Sequence, residues 1–230
     1  PSSRLPVWGY AVALALIAPP AATLARLLSR IKASEGFVGN RPAYEERSRR
    51  IREEHDKQVA AMQREAVEHK NDTPVDPRWL CRALNESIPA NAVIVEETTV
   101  HRTLIQNMIP RTEPMSYMAR VTGGLGVSLG YALGAKLAMK ERPVFVLIGD
   151  GGFHYNPVPS CLGLAQEYEL PIIVVVFNNQ RYLSMERGLL RYYPDGVAKK
   201  TGVHFGGPIL PNPDYRLYAD IYGGYGVRVT

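Results

Sequence analysis

The chain has 230 residues and a formal net charge of +5, from 27 basic and 22 acidic side chains. With 46% hydrophobic and 21% charged residues, the composition is that of a globular protein and excludes disorder over the whole length. The charge is too small to indicate nucleic acid binding, no apolar run reaches the roughly 18 residues of a membrane span, and two cysteines cannot form a disulfide framework. We therefore expect a cytoplasmic protein with no nucleic acid and no membrane partner.

The first 33 residues predict one strand and one helix. An apolar run from Tyr10 to Ala18 has the length of a strand, and apolar side chains recur at helical spacing from Ala22 to Ile31. One strand and one helix cannot enclose a core by themselves. We interpret residues 1–33 as the remnant of a middle domain whose body lies outside this sequence.

Residues 34–74 differ in character, because they are rich in Arg, Glu and Lys of alternating sign and contain few apolar side chains. This pattern is typical of a solvated helix that links two domains. The sequence Asn-Asp-Thr-Pro at residues 71–74 then predicts a break. We place a domain boundary there, so that residues 75–230 form one domain.

From residue 75 onward, helical and strand-like segments alternate. Continuous apolar runs rich in β-branched residues are typical of parallel strands that helices cover on both faces. We predict helices at Pro77–Leu84, Val100–Met108 and Pro159–Glu169, and strands at Ala92–Val95, Val144–Ile148 and Pro171–Phe177. The order predicts an α/β fold with a doubly wound, mainly parallel sheet flanked by helices, which binds ligands beyond the carboxyl ends of its strands.

Polar residues follow two of these strands directly. One run ends in Gly149-Asp150-Gly151-Gly152, and the next ends in Asn178-Asn179. Carboxylate and amide oxygens at one sheet edge suit Mg²⁺, which phosphates usually help to coordinate. The glycines allow a phosphate to approach backbone N–H groups closely. The sequence therefore predicts a site for magnesium and a phosphorylated ligand.

Gly149-Asp150-Gly151, separated by the 26 residues 152–177 from Asn178-Asn179, resembles the diphosphate-binding motif of thiamine-diphosphate-dependent enzymes. The segment from Thr122 to Ala138, which begins Thr-Gly-Gly-Leu-Gly, is similar to the part of benzoylformate decarboxylases and acetolactate synthases that holds the aminopyrimidine ring. The resemblance implies that residues 75–230 are the domain that binds thiamine diphosphate and Mg²⁺.

The resemblance also implies roles for single residues. Side chains of Asp150 and Asn179 and the carbonyl of Arg181 would bind the metal, while N–H groups of Gly151 and Gly152 would bind the diphosphate. Gly149 opens this motif, and Thr99 falls where the family often has a further phosphate contact.

On the other side of the cofactor, the Gly123 carbonyl would accept a hydrogen bond from the 4′-amino group, and Leu125 would bend the cofactor into its V shape. His154 follows the phosphate loop and is a candidate for substrate contact. Ser184 and Met185 fall where related enzymes have substrate-pocket side chains. His101 and His204 are expected to be structural or to face solvent.

The resemblance further implies a 2-oxo acid or aldehyde substrate and a homodimer or homotetramer. In the family, a glutamate of a pyrimidine-binding domain activates the cofactor, normally across a dimer interface. No glutamate of this sequence suits that role, because Glu96 and Glu97 lie on the diphosphate side. We expect the pyrimidine-binding domain to come from a missing part of the chain or from another subunit, and the start inside a domain remnant favours a fragment.

Two alternatives remain. Gly124, Gly126 and Gly130 imitate a dinucleotide fingerprint, with Asp150 as the ribose-binding acid, which would indicate an NAD-dependent dehydrogenase. This reading leaves Asn178-Asn179 unexplained, and its glycines follow no convincing apolar strand. The other alternative is a non-catalytic subunit that keeps the diphosphate site and lacks an activating glutamate.

Overall fold

The computed structural model describes residues 13–119 and 124–230, and the chain divides into two compact units, one ending at Lys57 and one beginning at Gln58. Residues 13–18 precede the first helix and form no strand. The predicted strand Tyr10–Ala18 is therefore wrong for its described part, while residues 10–12 lie outside the described residues. An apolar run needs a neighbouring strand to satisfy its backbone, and none of the strands in the described residues pairs with it.

Two helices follow. Helix α1 (Pro20–Ala33) begins with proline in its first turn and confirms the predicted helix at Ala22–Ile31. Helix α2 (Glu35–Glu68) is one continuous, largely exposed helix of 34 residues, as the mixed charges predict. Arg49 forms ion pairs with Glu46 and Glu53 at helical spacing on its surface. The division after Lys57 falls inside α2, and the proposed boundaries after residues 33 and 74 stay predictions.

The second unit is built on a four-stranded parallel sheet in the order β2-β1-β3-β4. The strands are β1 (Val93–Glu97), β2 (Tyr117–Ala119), β3 (Val144–Gly149) and β4 (Ile173–Phe177). The helices are α3 (Pro77–Ser87), α4 (Arg102–Met108), α5 (Ser128–Ala138), α6 (Asp150–Tyr155), α7 (Val158–Glu167), α8 (Leu183–Tyr192), α9 (Val197–Thr201) and α10 (Leu217–Asp220). This is the predicted α/β fold with a doubly wound sheet.

Strand alternation distributes the core over both faces of the sheet. Val93 and Val95 of β1 pack on one face with residues of α5, α6 and α7. Ile94, between them, packs on the other face with residues of α2, α3 and α4. Both faces are therefore covered, as expected for successive side chains that point to opposite sides.

Two strands differ from the prediction. Strand β2 was not predicted because its three residues form no long apolar run. Strand β4 was expected to be covered on both faces, but within the described residues it lies at the edge of the sheet, and only Phe177 of β4 is buried. An edge strand has one neighbouring strand and correspondingly less packing.

The register of the sheet fixes the position of the polar strand ends. Gly149, the last residue of β3, pairs with Phe177, the last residue of β4. The loops that contain Asp150 and Asn179 therefore leave the same edge of the sheet next to one another. Among the helices in the described residues, none is both long and apolar enough to cross a bilayer.

Candidate functional site

A cavity of about 180 Å³ opens at this edge of the sheet, beyond the carboxyl ends of the parallel strands. It brings together most of the residues singled out in the sequence, from four separate segments: Thr99, Leu125, Gly149, Asp150, Gly151, Gly152, Asn179, Arg181, Ser184 and Met185. Gly123 lies outside the described residues. The cavity is where a doubly wound sheet is expected to bind its ligand.

Asp150 is a buried acid in the wall of the cavity. The residue is 3% exposed, and its Oδ1 accepts a hydrogen bond of 2.8 Å from the N–H of Gly151. The other oxygen, Oδ2, is buried without a hydrogen-bond partner among the described residues. Burial raises the pKa of Asp150 above its usual value, and backbone N–H groups of residues 151 and 179–181 oppose this shift only in part. A buried carboxylate oxygen without a partner is a ready ligand for a cation.

The loop after β4 is held by its own side chains and by a distant segment. Asn178 Oδ1 accepts from the N–H of Gln180 at 3.1 Å, and Asn179 Oδ1 accepts from the N–H of Arg181 at 3.0 Å. The N–H of Tyr182 donates to the carbonyl of Gly207 at 2.7 Å. These turns place Asn179 beside Asp150 at the cavity wall, and the amide oxygen keeps a second lone pair for a ligand.

The glycines after Asp150 leave room where a side chain would collide. A Cβ atom at Gly151 would lie 2.7 Å from the ring of Tyr182. At Gly152 it would lie 3.1 Å from the carbonyl oxygen of Glu97 and 3.2 Å from Ile148. The ring of Tyr182 also makes an edge contact with Tyr155, at 6.2 Å between ring centres. The first turn of α6 therefore leaves no space for side chains at these two positions, and the two glycines themselves form part of the cavity wall.

The loop between β1 and α4 forms the facing wall. Glu96 is buried and accepts from Thr98 through Oε1, while Oε2 accepts from Nε of Arg102 at 2.8 Å. This pair shapes the turn that carries Thr98, Thr99 and His101 into the cavity. His101 lines the cavity and the centre of its ring lies 5.5 Å from that of Phe177, so the expectation that it is structural or faces solvent stays a prediction. Burial and the charge of Arg187 lower the pKa of His101, which favours a neutral imidazole.

Leu125, Ser184 and Met185 complete the lining. Leu125 is half-buried and lies just before α5, whereas Ser184 and Met185 lie in the first turn of α8. Ser184 is half-buried, and Met185 is 66% exposed. These side chains leave an open side of the cavity toward solvent.

The structure does not bring His154 into the cavity lining. Its Nε2 lies 3.0 Å from the hydroxyl of Tyr215, and its ring is exposed. The adjacent Phe153 contacts the rings of Tyr215 and Tyr218 edge to face. In this arrangement His154 helps to attach the segment around α10 to α6, and its contact with a substrate stays a prediction.

The donor set at the edge of the sheet suits Mg²⁺. Asp150 supplies an unpartnered carboxylate oxygen, and the adjacent Asn179 supplies an amide oxygen, both hard ligands of the kind that Mg²⁺ prefers. The backbone of Arg181 also lies at the cavity wall and offers a carbonyl oxygen. His101 and Met185 also line the cavity, but the oxygen groups of Asp150 and Asn179 are the donors at the strand ends.

Sequence reasoning missed Tyr155 and Tyr182 as lining residues. Tyr182 could have been found, because it follows Asn179 by three residues, in the loop that leaves the sheet edge. Tyr155 could not, since its position depends on a short helix, α6, that begins at Asp150 itself.

Comparison with known proteins agrees with the geometry. Residues 97–230, more than half of the chain, match the family described as "Thiamine pyrophosphate enzyme, C-terminal TPP binding domain". Benzoylformate decarboxylase of Pseudomonas aeruginosa is 31% identical over 150 residues, which are 65% of this chain and 26% of that protein. The acetolactate synthase isozyme 2 large subunit of Escherichia coli is 25% identical over 177 residues, which are 75% of this chain and 31% of that protein.

A solved structure is also similar. The crystal structure of benzoylformate decarboxylase from Polynucleobacter necessarius superimposes with a TM-score of 0.59 and 26% identity, covering 70% of this chain and 29% of that chain. This chain thus spans about 26–31% of the length of the relatives named here.

Proposed function

We propose, from the premise that this chain belongs to the thiamine pyrophosphate enzyme family as a C-terminal cofactor-binding domain, that its cavity holds thiamine diphosphate and Mg²⁺ in a 2-oxo acid decarboxylase or carboligase. The observation that carries the proposal is Asp150. Its Oδ2 is buried without a hydrogen-bond partner among the described residues, and Asn179 lines the same cavity at the edge where β3 and β4 end. A cation would supply the partner that this oxygen lacks, since the backbone N–H groups nearby offset the burial of the carboxylate only in part.

In this proposal the side chains of Asp150 and Asn179 and the carbonyl of Arg181 hold Mg²⁺. The N–H groups of Gly151 and Gly152 bind the diphosphate, with Gly149 allowing its close approach and Thr99 adding a contact from the facing wall. All of these residues line one cavity. The absence of a side chain at residue 151 keeps the ring of Tyr182 at the wall and the backbone accessible.

The other end of the cofactor would lie against the loop before α5. There the carbonyl of Gly123 would accept a hydrogen bond from the aminopyrimidine, and Leu125 would press on the cofactor to keep it bent. Leu125 is half-buried and lines the cavity, which supports a contact with a ligand. Misplacing reacting groups by about 1 Å can cost on the order of 100-fold in rate, so the position of Leu125 matters.

When bound, thiamine diphosphate supplies an electron sink for the carbanion left by decarboxylation. The chain itself positions the cofactor and forms part of the substrate pocket, for which Ser184 and Met185 are the candidates. Their place on the open side of the cavity fits a small 2-oxo acid or aldehyde. A contribution of His154 would require a rearrangement that brings its ring away from Tyr215 and toward the substrate.

We further propose that a pyrimidine-binding domain, from the rest of the chain or from another subunit, completes this site and supplies the activating glutamate. Neither Glu96 nor Glu97 can do so, since both carboxylates are engaged in hydrogen bonds at the end of β1. As part of the same proposal, the protein is a homodimer or homotetramer in the cytoplasm, with neither nucleic acid nor membrane as a partner.

The structure favours this proposal over an NAD-dependent dehydrogenase. In a dinucleotide site the first N–H groups of the helix after the glycine-rich loop bind the pyrophosphate. Here the N–H groups of residues 126–128 donate to Glu97, and that of Leu129 donates to Asn156 at 3.1 Å. They are occupied by protein groups, and a buried carboxylate at this point would repel a phosphate.

The test is the Asp150→Ala variant of the protein expressed from its complete gene, titrated with thiamine diphosphate by calorimetry in Mg²⁺ and in EDTA. We expect wild-type binding that needs Mg²⁺ and its loss in the variant, with the fold retained because Asp150 lies at a strand end outside the hydrophobic core. Asp195→Ala, which removes an exposed acid, is the control. Metal-dependent binding of normal affinity in Asp150→Ala would refute the site. A protein that binds the cofactor but turns over no 2-oxo acid would be a non-catalytic subunit.

A further inference from the structure

Two consecutive buried glutamates end strand β1. Glu96 and Glu97 are each 1% exposed, and strand alternation directs them to opposite faces of the sheet. Glu96 faces α4 and is paired with Arg102. Glu97 faces α5 and α6, has no cationic partner in the described residues, and lines the cavity beside Asp150. A buried carboxylate of this kind needs a dense set of donors.

Four N–H groups supply them. Oε1 of Glu97 accepts from the N–H of Gly126, and Oε2 accepts from Val127 at 3.1 Å, from Ser128 at 2.7 Å and from Nδ2 of Asn156 at 3.2 Å. Three of these donors are consecutive backbone groups at the start of α5. The carboxylate therefore caps that helix from a neighbouring strand, where negative charge is favourable.

The same hydrogen bonds fix the loop that carries Leu125. Gly126 has φ +93°, and a Cβ atom there would lie 2.5 Å from the carbonyl oxygen of Tyr155 at the end of α6. Asn156, the next residue, bonds both Glu97 and the N–H of Leu129. The loop is thus held between the end of β1 and the end of α6, with Glu97 at the junction.

We propose that Glu97 is a positioning residue, which fixes the position of Leu125 at the cavity wall. Through that position it determines how well the pyrimidine half of thiamine diphosphate fits. This inference rests on the proposed function. It assigns to Glu97 no contact with the reacting atoms: its carboxylate acts through the backbone of residues 126–128. The donors to this carboxylate are residues 126–128 and Asn156, and none of them belongs to the groups proposed to bind the diphosphate half.

The isosteric Glu97→Gln variant tests the role of the carboxylate. An amide has one oxygen and one NH₂ group, so at least one of the four N–H donors would face another donor. Because the donors are buried, the loop must move to relieve the conflict. Asn156→Ala removes three hydrogen bonds, two of them within this network and one to the carbonyl of Gly152, and should loosen the same loop. Val95→Ala is the matched control, since it removes packing from the same face of β1 and no hydrogen bond to the loop.

The first measurement needs no cofactor. Hydrogen–deuterium exchange of peptides that cover residues 124–129 should become faster in Glu97→Gln and Asn156→Ala and stay unchanged in Val95→Ala. The second compares two ligands by calorimetry in Mg²⁺ with the protein from its complete gene. We expect the Kd of thiamine diphosphate to rise about tenfold or more in Glu97→Gln, while that of inorganic pyrophosphate changes by less than about threefold.

The outcomes separate the two claims. Wild-type protein that binds no thiamine diphosphate would refute the proposed function and, with it, the role of Glu97. Normal thiamine diphosphate affinity in Glu97→Gln would refute the role of Glu97 alone. An equal loss of affinity in Glu97→Gln and Val95→Ala would show a general contribution to stability instead. If Glu97→Gln does not fold, Asn156→Ala decides by the exchange measurement, and unchanged exchange at residues 124–129 would refute the role of this network.

Discussion

Replacing Gly151 by alanine is a sensitive perturbation of the cavity, because it adds a single methyl group at a contact that is already close. The new Cβ atom would lie 2.7 Å from the ring of Tyr182. Carbon atoms in good contact are about 3.5–4.0 Å apart, so the ring must move by roughly 1 Å. Because both residues line the cavity, this movement changes the shape of the wall that would face the diphosphate.

The magnitude follows from the cost of overpacking. Adding a methyl group to a tightly packed site typically costs about 1–3 kcal/mol. If the ligand requires the original position of the ring, this free energy appears as a loss of affinity of roughly 5- to 150-fold. The free energy of unfolding should change less, since Tyr182 is only half-buried and can shift toward solvent in the free protein.

Gly134→Ala provides the control for this prediction. Gly134 lies in α5 and does not line the cavity, its helical backbone is accessible to any residue, and a Cβ atom there would meet nothing within 4 Å. Calorimetric titration with thiamine diphosphate and Mg²⁺, together with thermal melting of both variants, separates affinity from stability. Equal affinity in Gly151→Ala and Gly134→Ala would refute the assignment of Gly151 to the cofactor wall.

Two further predictions concern a cavity residue and a helix start. Leu125→Ala should slow exchange of the C2 proton of bound thiamine diphosphate by on the order of 100-fold, with little change in the free energy of unfolding. If Leu125 is instead a core residue, the variant should lose about 2–5 kcal/mol of the free energy of unfolding and exchange at the wild-type rate. NMR exchange and denaturation curves distinguish these results. At the start of α3, Asp76 accepts from N, Nε and a terminal nitrogen of Arg78, and this pairing lowers the pKa of Asp76 from 3.8 to about 2. Asp76→Asn should therefore lower the free energy of unfolding by about 1–2 kcal/mol at neutral pH. The difference from wild type should decrease as the pH falls from about 4 toward 2, which urea titrations at several pH values would show. A difference that does not change with pH would contradict the ion pair.

Apolar patterning was sufficient for the framework of the fold. The runs at residues 144–148 and 171–177 form neighbouring parallel strands, as continuous β-branched runs of this length commonly do when helices cover both faces of a sheet. Because the carboxyl ends of neighbouring parallel strands share one edge, Asp150 and Asn179 could be placed together from the sequence alone. The partial exposure of β4 could not be predicted, since it depends on which strand forms the edge of the sheet.

The hydrogen-bond partners of buried side chains were harder to predict from the sequence than the positions of the strands. Glu97 was read in the sequence only as an acid on the diphosphate side, because its donors lie 29–31 and 59 residues away. His101 was expected to be structural or solvent-facing, and the turn shaped by Glu96 and Arg102 brings it to the cavity. Local patterns carry no information about such long-range hydrogen bonds, which depend on the packed tertiary structure.

The most direct test of the account is a crystal structure of the protein with thiamine diphosphate and Mn²⁺ in place of Mg²⁺, with the metal located by its anomalous scattering. We expect the metal at roughly 2.0–2.3 Å from Asp150 Oδ2, Asn179 Oδ1 and the carbonyl oxygen of Arg181, with the diphosphate completing its coordination. A metal bound elsewhere, or a diphosphate remote from the N–H groups of Gly151 and Gly152, would contradict the assignment of this sheet edge as the cofactor site.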